Sequence, residues 1–236
     1  MKTCVVIPTY NERENVDVVV AAIESVAVPE LSVLFVDDSS PDGTSSAVDL
    51  ISKSNSWVHL LRRDSKRGIG SAYQDGFGWA LEKLDPEILV EMDADLQHPP
   101  ETIPSLVRAV EGGADVAVAS RYVPGGGIRE WGKGRRLVSR GANALTRVLL
   151  GLPVKDCTSG IRAYRREAAL TIVRSKLPAK GFEFQVATLH LLKGRAKVVE
   201  VPYSFGPRRA GRSKLKAADM VRFLFFVVGT SVGIIR

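Results

Sequence analysis

Two carboxylates two residues apart, Asp93 and Asp95, end an apolar run in Glu91-Met92-Asp93-Ala94-Asp95-Leu96-Gln97. Carboxylates that close repel each other unless a proton or a cation relieves them. A divalent Mg²⁺ or Mn²⁺ suits the pair, since these hard ions take a few carboxylates together with phosphate oxygens and water. Gln97 offers a neutral oxygen two residues further on. If extended backbone persists through this stretch, Asp93 and Asp95 point the same way. The spacing alone is a weak signal, and its place at the end of a buried strand strengthens it.

A second acidic turn reads Val36-Asp37-Asp38-Ser39-Ser40-Pro41-Asp42-Gly43-Thr44. A carboxylate there can accept hydrogen bonds from a base edge or ribose hydroxyls. We assign that role to Asp38, and turn chemistry and helix capping to Asp37 and Asp42. The first βα turn, Val6-Ile7-Pro8-Thr9-Tyr10-Asn11-Glu12, is not glycine-rich, and Gly68-Ile69-Gly70 has Tyr73 where a dinucleotide fingerprint wants its third glycine. A nicotinamide enzyme is therefore disfavoured. His59, His98 and His190 occur singly, and only His98 adjoins the acidic motif.

Basic charge is concentrated. Arg121, Arg129, Lys133, Arg135, Arg136, Arg140 and Arg147 face one acid, Glu130, and Arg208, Arg209, Arg212, Lys214 and Lys216 face none. Arginine recognises phosphate bidentately, while lysine acts as a point charge. Two such clusters around an acidic metal site imply at least two anionic groups to hold. Nucleic acid fits less well, because neither interleaved aromatics nor a known module accompanies the charge.

The elements that must position these residues follow a βαβαβ rhythm. Thr3–Ile7, Ser32–Val36, Val58–Leu61, Ile88–Met92 and Val116–Ser120 are continuous apolar runs, as expected of a parallel sheet covered on both faces. Val16, Val19, Val20 and Ile23 give the intervening helix one buried stripe. The fold expected is α/β, a doubly wound, mostly parallel sheet with ligands at the carboxyl ends of its strands. Helix 137–150, strand 160–164, helix 182–192 and strand 197–201 extend the same domain. In the first of these helices, Val138, Ala142, Leu145 and Leu149 read as the buried stripe, and Arg135, Ser139 and Asn143 as a separate polar face. Residues 124–127 read as a mobile loop.

The 236 residues suffice for one large core, and 45% hydrophobic with 25% charged residues is ordinary for a globular chain. The net charge of +7 favours acidic partners. Two cysteines, Cys4 in an apolar run and Cys157 in a polar loop, suggest a reducing, cytosolic setting. The start, Met1-Lys2-Thr3, enters a strand without a signal-peptide core. Residues 223–235 carry no charge, too short a run to span a bilayer, which needs roughly 20 apolar residues. The stretch reads as a helix packed on the core, as an interfacial helix or as the beginning of a membrane segment, and the preceding Lys214, Lys216 and Arg222 would suit an anionic membrane surface. We therefore divide the chain into a catalytic domain, 1–216, and a membrane-proximal helix, 217–236.

Taken together, these strings resemble the polyprenol-phosphate mannosyltransferases, or dolichol-phosphate mannose synthases, which are inverting GT-A enzymes of glycosyltransferase family 2. The likeness continues through His98-Pro99-Pro100, Ser120-Arg121-Tyr122, Trp131, Arg135, Ser139 to Asn143, Thr158-Ser159-Gly160, Gly206-Pro207-Arg208 and Gly211 to Leu215, and so covers nearly the whole chain. It implies a GT-A fold, GDP-mannose as donor, polyprenyl or dolichyl phosphate as acceptor, and a divalent metal. By the resemblance, Pro8, Tyr10, Glu12, Val36 and Asp38 contact the nucleoside. Asp93, Ala94, Asp95 and Gln97 form the metal and diphosphate site. Arg121, Arg135 and Ser139 hold the acceptor phosphate, and Arg208 and Lys214 reach the donor phosphates from a mobile loop. The QxxRW signature of processive synthases is absent. The expected location is the cytoplasmic face of a membrane, held peripherally, through the C-terminal segment or by an anchoring subunit.

A phosphate monoester, with a second pKa of about 6, is already a nucleophile at neutral pH and needs no general base. The expected work is electrostatic, with inversion at C1. The same chemistry with UDP-glucose is the nearest alternative, decided by the pocket around Glu12 and Asp38. A non-catalytic basic nucleotide- or nucleic-acid-binding protein would leave Asp93, Asp95 and Gln97 unexplained.

Overall fold

All five expected apolar runs form strands in the computed structural model, which describes residues 1–175, 177–207 and 217–234. They are β1 (Thr3–Thr9), β2 (Leu31–Asp37), β3 (Val58–Arg62), β4 (Ile88–Glu91) and β5 (Val116–Ser120), followed by β6 (Gly127–Ile128), β7 (Arg162–Arg165), β8 (Val198–Pro202) and β9 (Ser204–Phe205). The helices are α1 (Arg13–Glu24), α2 (Thr44–Ser54), α3 (Ile69–Lys83), α4 (Ile103–Glu111), α5 (Lys133–Leu150), α6 (Arg166–Ser175), α7 (Phe184–Leu192) and α8 (Ala217–Ser231). The seven-stranded sheet runs β3-β2-β1-β4-β7-β5-β8, and β6 and β9 pair separately. Only β7 is antiparallel to its neighbours β4 and β5, and it sets Arg162 opposite Glu91.

Alternation along β1 divides the core. Cys4 and Val6 join a cluster with α3, α6 and α7, while Val5 and Ile7 join α1, α2 and α4 on the other face. Each face is thus buried by helices, which is why these strands carry no polar alternation. The strand order reverses direction between β1 and β4, and in open α/β sheets ligands bind at the carboxyl ends beside such a switch point.

One expectation fails. In α5 the stripe Val138, Ala142, Leu145, Leu149 does not face the core: Val138 is 57% exposed and Leu145 45%, whereas Asn143, Thr146 and Leu150 are buried. The polar side of this helix is the inward one, because Asn143 and Ser139 find hydrogen-bonding partners on the protein. Residues 124–127 form a closed turn: Gly126 N–H donates to Val123 O at 2.9 Å and Gly127 N–H to Tyr203 O at 3.0 Å.

Helix α3 packs so closely on β1 and β2 that a Cβ on Gly76 would meet Val6 Cγ1 at 2.6 Å and Val36 Cγ2 at 2.8 Å. Both contacts are fully buried β-branched side chains with little room to turn. Gly76→Ala should therefore lose about 1–3 kcal/mol to overpacking despite the better helix propensity of alanine. Urea denaturation checks this; unchanged stability would show that α3 can lift away from the sheet.

Candidate active site

The carboxyl ends of β1, β2 and β4 each break into a tight turn containing a non-glycine residue with left-handed backbone: Asn11 at φ 55°, Ser39 at 56° and Leu96 at 58°. Such conformations cost of order 1–3 kcal/mol each and persist where the surroundings over-determine them. Here they ring the switch point between β1 and β4.

In the β2 turn the three aspartates have different partners. Asp37 is fully buried and accepts from Thr9 Oγ1 at 2.9 Å, Ser45 Oγ at 2.6 Å and both Ser40 N and Oγ. Asp42 accepts from Arg13 N, Thr44 N and Thr44 Oγ1. Both stitch the turn. Asp38 takes Arg63 Nη1 at 2.6 Å on Oδ1 and Arg67 N–H at 3.2 Å on Oδ2. Burial lifts the Asp38 carboxyl above its ordinary value, against the lowering pull of Arg63 and of the Arg67 and Gly68 amides. Arg63 is itself buried and also donates to Ser71 Oγ. Across this crevice Lys66 Nζ sits 3.7 Å above the Tyr10 ring. Pro8 is partly exposed, Glu12 is held by Asn15 Nδ2 at 2.7 Å, and Val36 is wholly buried beneath the turn.

The acidic motif is not an extension of β4. The strand stops at Glu91, and Asp93 to Gln97 curl into a turn in which Asp95 Oδ1 accepts the Gln97 N–H at 2.9 Å. The relation of the two carboxylates is therefore set by the turn and not by strand alternation. Asp93 accepts from Tyr73 O–H at 3.3 Å and lies 3.6 Å from His98 Nδ1. Tyr73 is fully buried, and burial, then the Asp93 and Glu91 carboxylates, keep its phenol proton firmly bound. Gly160 closes the other side: a Cβ there would lie 3.0 Å from His98 Cε1 and 3.6 Å from Asp93 Oδ2. Gln97 is tied to Gly206 through Gly206 N–H to Gln97 O at 2.9 Å. Among the described residues no three His, Cys, Asp or Glu groups converge. Two carboxylates and an amide are a fitting donor set for Mg²⁺ or Mn²⁺, which keep waters and substrate phosphates in their shells.

An aromatic chain leads from this turn to the basic helix. His98 packs on Phe205 at 5.5 Å, Phe205 on Trp131 at 5.3 Å, and Arg135 lies 3.9 Å over the Trp131 ring. Arg121 approaches the same rings but is committed elsewhere: its Nε and Nη2 donate to Asp156 at 2.7 and 2.6 Å, and Nη2 to Thr158 Oγ1 at 2.9 Å. Burial would weaken its charge, and Asp156 more than reverses that, so the guanidinium stays protonated. Ser139 Oγ accepts from Tyr122 O–H at 2.7 Å. The structure thus gathers Arg121, Arg135 and Ser139 around Tyr122 and Trp131. Arg208 and Lys214 lie outside the described residues, whose last member before them is Pro207, next to the Gly206 bonded to Gln97.

Tyr73, Arg63 and Asp156 were not singled out from sequence. A charged residue directly after β3 was a usable signal for Arg63, whereas the contacts of Tyr73 and Asp156 span 20 and 35 residues and leave no local pattern. Asp156 is fully buried and neutralises Arg121, so Asp156→Ala should cost about 3–5 kcal/mol by stranding that cation. Chemical denaturation measures it, and a loss under about 1 kcal/mol would show that water reaches Arg121.

Comparison with known proteins agrees with this geometry. The family model described as "Glycosyl transferase family 2" matches residues 4–172. Polyprenol monophosphomannose synthase of Mycolicibacterium smegmatis is 43% identical, over 96% of this chain and 85% of its own. Undecaprenyl-phosphate mannosyltransferase of Micrococcus luteus is 41% identical, over 91% of this chain and 88% of its own. Dolichol-phosphate mannosyltransferase of Pyrococcus furiosus is 41% identical over 95% of this chain, which spans 62% of that protein. Among solved structures, glucosyl-3-phosphoglycerate synthase from Mycobacterium tuberculosis, in complex with Mn²⁺, UDP and glucosyl-3-phosphoglycerate, matches 98% of this chain and 80% of its own with a TM-score of 0.70 at 20% identity. That likeness bears on the fold alone, which is the GT-A arrangement. With its sheet, its acidic turn and relatives above 40% identity in agreement, the chain belongs to glycosyl transferase family 2.

Proposed function

We propose that this enzyme transfers mannose from GDP-mannose to a polyprenyl phosphate, with inversion, giving polyprenyl phosphomannose and GDP. The observation that carries the reading is the short aromatic bridge, His98–Phe205–Trp131, between an acidic turn suited to a metal diphosphate and an arginine-lined site suited to a second phosphate. The names of the relatives supply the acceptor class and the sugar.

Asp93, Asp95 and Gln97 would hold a divalent cation, which when bound neutralises the leaving diphosphate. Pro8, Tyr10, Glu12 and Asp38 line the nucleoside crevice, with Val36 as its floor and Ala94 beside the diphosphate. Displacing Lys66 from the Tyr10 ring would free an aromatic face for the base. Arg121, Arg135 and Ser139 receive the acceptor phosphate, whose oxygen attacks C1 of the sugar in line with the departing diphosphate. No side chain has to remove a proton, because the phosphate monoester is already ionised near neutral pH. The protein's contribution is to hold two anions within reach in a fixed orientation. Arg208 and Lys214 would follow from the Gly206 stem to cover the donor phosphates.

The lipid acceptor explains the inverted helix. The exposed apolar residues of α5 (Leu137, Val138, Leu145, Val148) are matched on α8, its packing neighbour, by Val221, Leu224 and Phe225. Among the described residues of α8, Phe226 and Val227 are buried in the core and Phe223 packs against it. A paired apolar face of this extent serves as a docking surface on lipid. Among the described residues no helix is long and apolar enough to cross a membrane. The exposed apolar face supports an enzyme that works from a membrane surface.

A transfer assay with Mn²⁺ or Mg²⁺, a short polyprenyl phosphate, and GDP-mannose or UDP-glucose in parallel tests the reading. Product should form from GDP-mannose and vanish with excess chelator. Asp95→Ala should lower turnover at least about 100-fold by removing a charge that acts on the leaving group. Arg135→Ala should raise the acceptor KM roughly tenfold, one lost charge-assisted contact, with the donor KM unchanged. Turnover undiminished by chelation would exclude the metal role, and product from UDP-glucose alone would reassign the donor.

A further inference from the structure

Beside loop 121–126 lies a cavity of about 500 Å³ whose lining includes Arg121, Tyr122, Arg140, Asn143, Arg147 and Lys155. No acid lines it. Arg121 is balanced by Asp156, which leaves the charges of Arg140, Arg147 and Lys155. Among the described residues none of these three forms an ion pair. Glu200, the carboxylate bonded to the Lys155 loop, spends its oxygens on the backbone N–H groups of Lys155 at 2.9 Å and Asp156 at 3.1 Å. Arg140 and Arg147 are seven residues apart, two turns along one stripe of α5, and Arg136 precedes them on it. Like charges in one stripe repel, so a shared anion would stabilise the arrangement.

This stripe is not the one that carries Arg135. Five residues at 100° each place Arg135 roughly 140° around the helix from Arg140. Arg135 turns to Trp131, whereas Arg140 lies 5.9 Å from the Tyr122 ring centroid. Between the two basic flanks the helix presents two faces: Asn143, Thr146 and Leu150 towards the protein, and Leu137, Gly141, Leu145 and Val148 towards solvent. The cationic cavity therefore opens along the border of the apolar face.

We propose that this cavity, which shares Arg121 and Tyr122 with the acceptor site, binds the phosphate headgroup of an anionic membrane lipid through Arg140, Arg147 and Lys155, in addition to the acceptor phosphate. The proposal rests on the membrane-docked reading above, because the apolar border is what distinguishes a lipid headgroup from a free phosphate. Arg140 and Arg147 fork around the phosphate oxygens, and Lys155 adds a point charge from the facing loop. A headgroup held there fixes the rotation of α5 on the surface, and with it the approach of Arg135 and Ser139 to lipid.

The test uses the full chain and two variants, Arg147→Gln/Lys155→Gln and Arg135→Ala, both checked for wild-type folding by circular dichroism. Titration with dihexanoyl phosphatidylglycerol below its micellar concentration, followed by calorimetry, should give saturable binding at least about tenfold tighter than inorganic phosphate. The double variant should weaken that binding roughly tenfold, and Arg135→Ala should change it less than about twofold. Absence of saturation, equal affinity for inorganic phosphate, or loss in Arg135→Ala alone would each overturn the site. Flotation with vesicles separates the two readings. The wild type should bind phosphatidylcholine vesicles and bind more tightly when they contain phosphatidylglycerol, and the double variant should lose only that increment. Headgroup binding without attachment to either vesicle would reject the lipid as occupant along with surface docking. Attachment with no increment would reject the site and leave docking intact.

Discussion

A single buried guanidinium holds the two halves of the site in register. Arg162 is the largest fully buried side chain among the described residues, in the strand that pairs antiparallel with β4 and β5. It donates to Ser159 O at 2.9 Å, Cys157 O at 2.8 Å, Gln185 O at 2.6 Å and Thr188 Oγ1 at 3.1 Å, and it faces Glu91 across the β4–β7 pairing. A buried cation is tolerable only when its donors are satisfied, so these acceptors must stay where they are. The chain between Cys157 and Ser159 is thereby fixed, and what it carries is fixed with it: Asp156 against Arg121, Thr158 against Asn143 of α5, and Gly160 against His98 and Asp93. The same strand pairing anchors β4, whose end launches the acidic turn. Both proposed anion sites therefore depend on one strand.

The inserted β7 also explains why the sheet changes character past β4. Four parallel strands, in the order β3-β2-β1-β4, build the first half of the sheet. β7 then separates β4 from β5, and the 42 residues from Arg121 to Arg162 become a long excursion over the carboxyl ends. That excursion supplies Arg121, Trp131, α5 and Asp156. A doubly wound sheet with a proposed nucleotide crevice is thus given its proposed second substrate site by one insertion.

Legibility in the sequence followed the range of the interactions. Strands β1 to β5 were readable because burial on both faces leaves continuous apolar runs, and α1 because its stripe is local. The acidic pair was readable as chemistry but not as geometry: the turn at Leu96, with its left-handed backbone, has no signature in residue spacing. Helices α3, α4 and α6 were passed over, and α3 carries glycines at 70, 76 and 78 that dilute its helical character. In α5 the period was right and the sign was wrong. Apolar stripes default to the core, and here the inward positions are polar because Asn143 and Ser139 bond to Thr158 and Tyr122. Nothing in one sequence distinguishes an apolar face meant for the core from one meant for lipid.

The proposed chemistry asks two anions to approach, and the arginines divide that task by their burial. Arg121 is buried, protonated and already paired with Asp156, so its field is largely cancelled before substrate arrives. What remains is direction: a guanidinium locked in one orientation at little further entropic cost. Arg135 is exposed and held against the face of Trp131, an arrangement worth about 0.5–1 kcal/mol at an exposed position, which a charge-assisted contact to phosphate can replace. Under the proposed chemistry its exposed guanidinium meets the phosphate directly. A site with two unpaired buried arginines would carry desolvation cost in the free enzyme; one with two exposed arginines would hold the phosphate loosely. The two arginines divide instead into one buried and paired with Asp156 and one exposed against Trp131, and under the proposed chemistry Asp156 takes part in acceptor recognition through the arginine it holds.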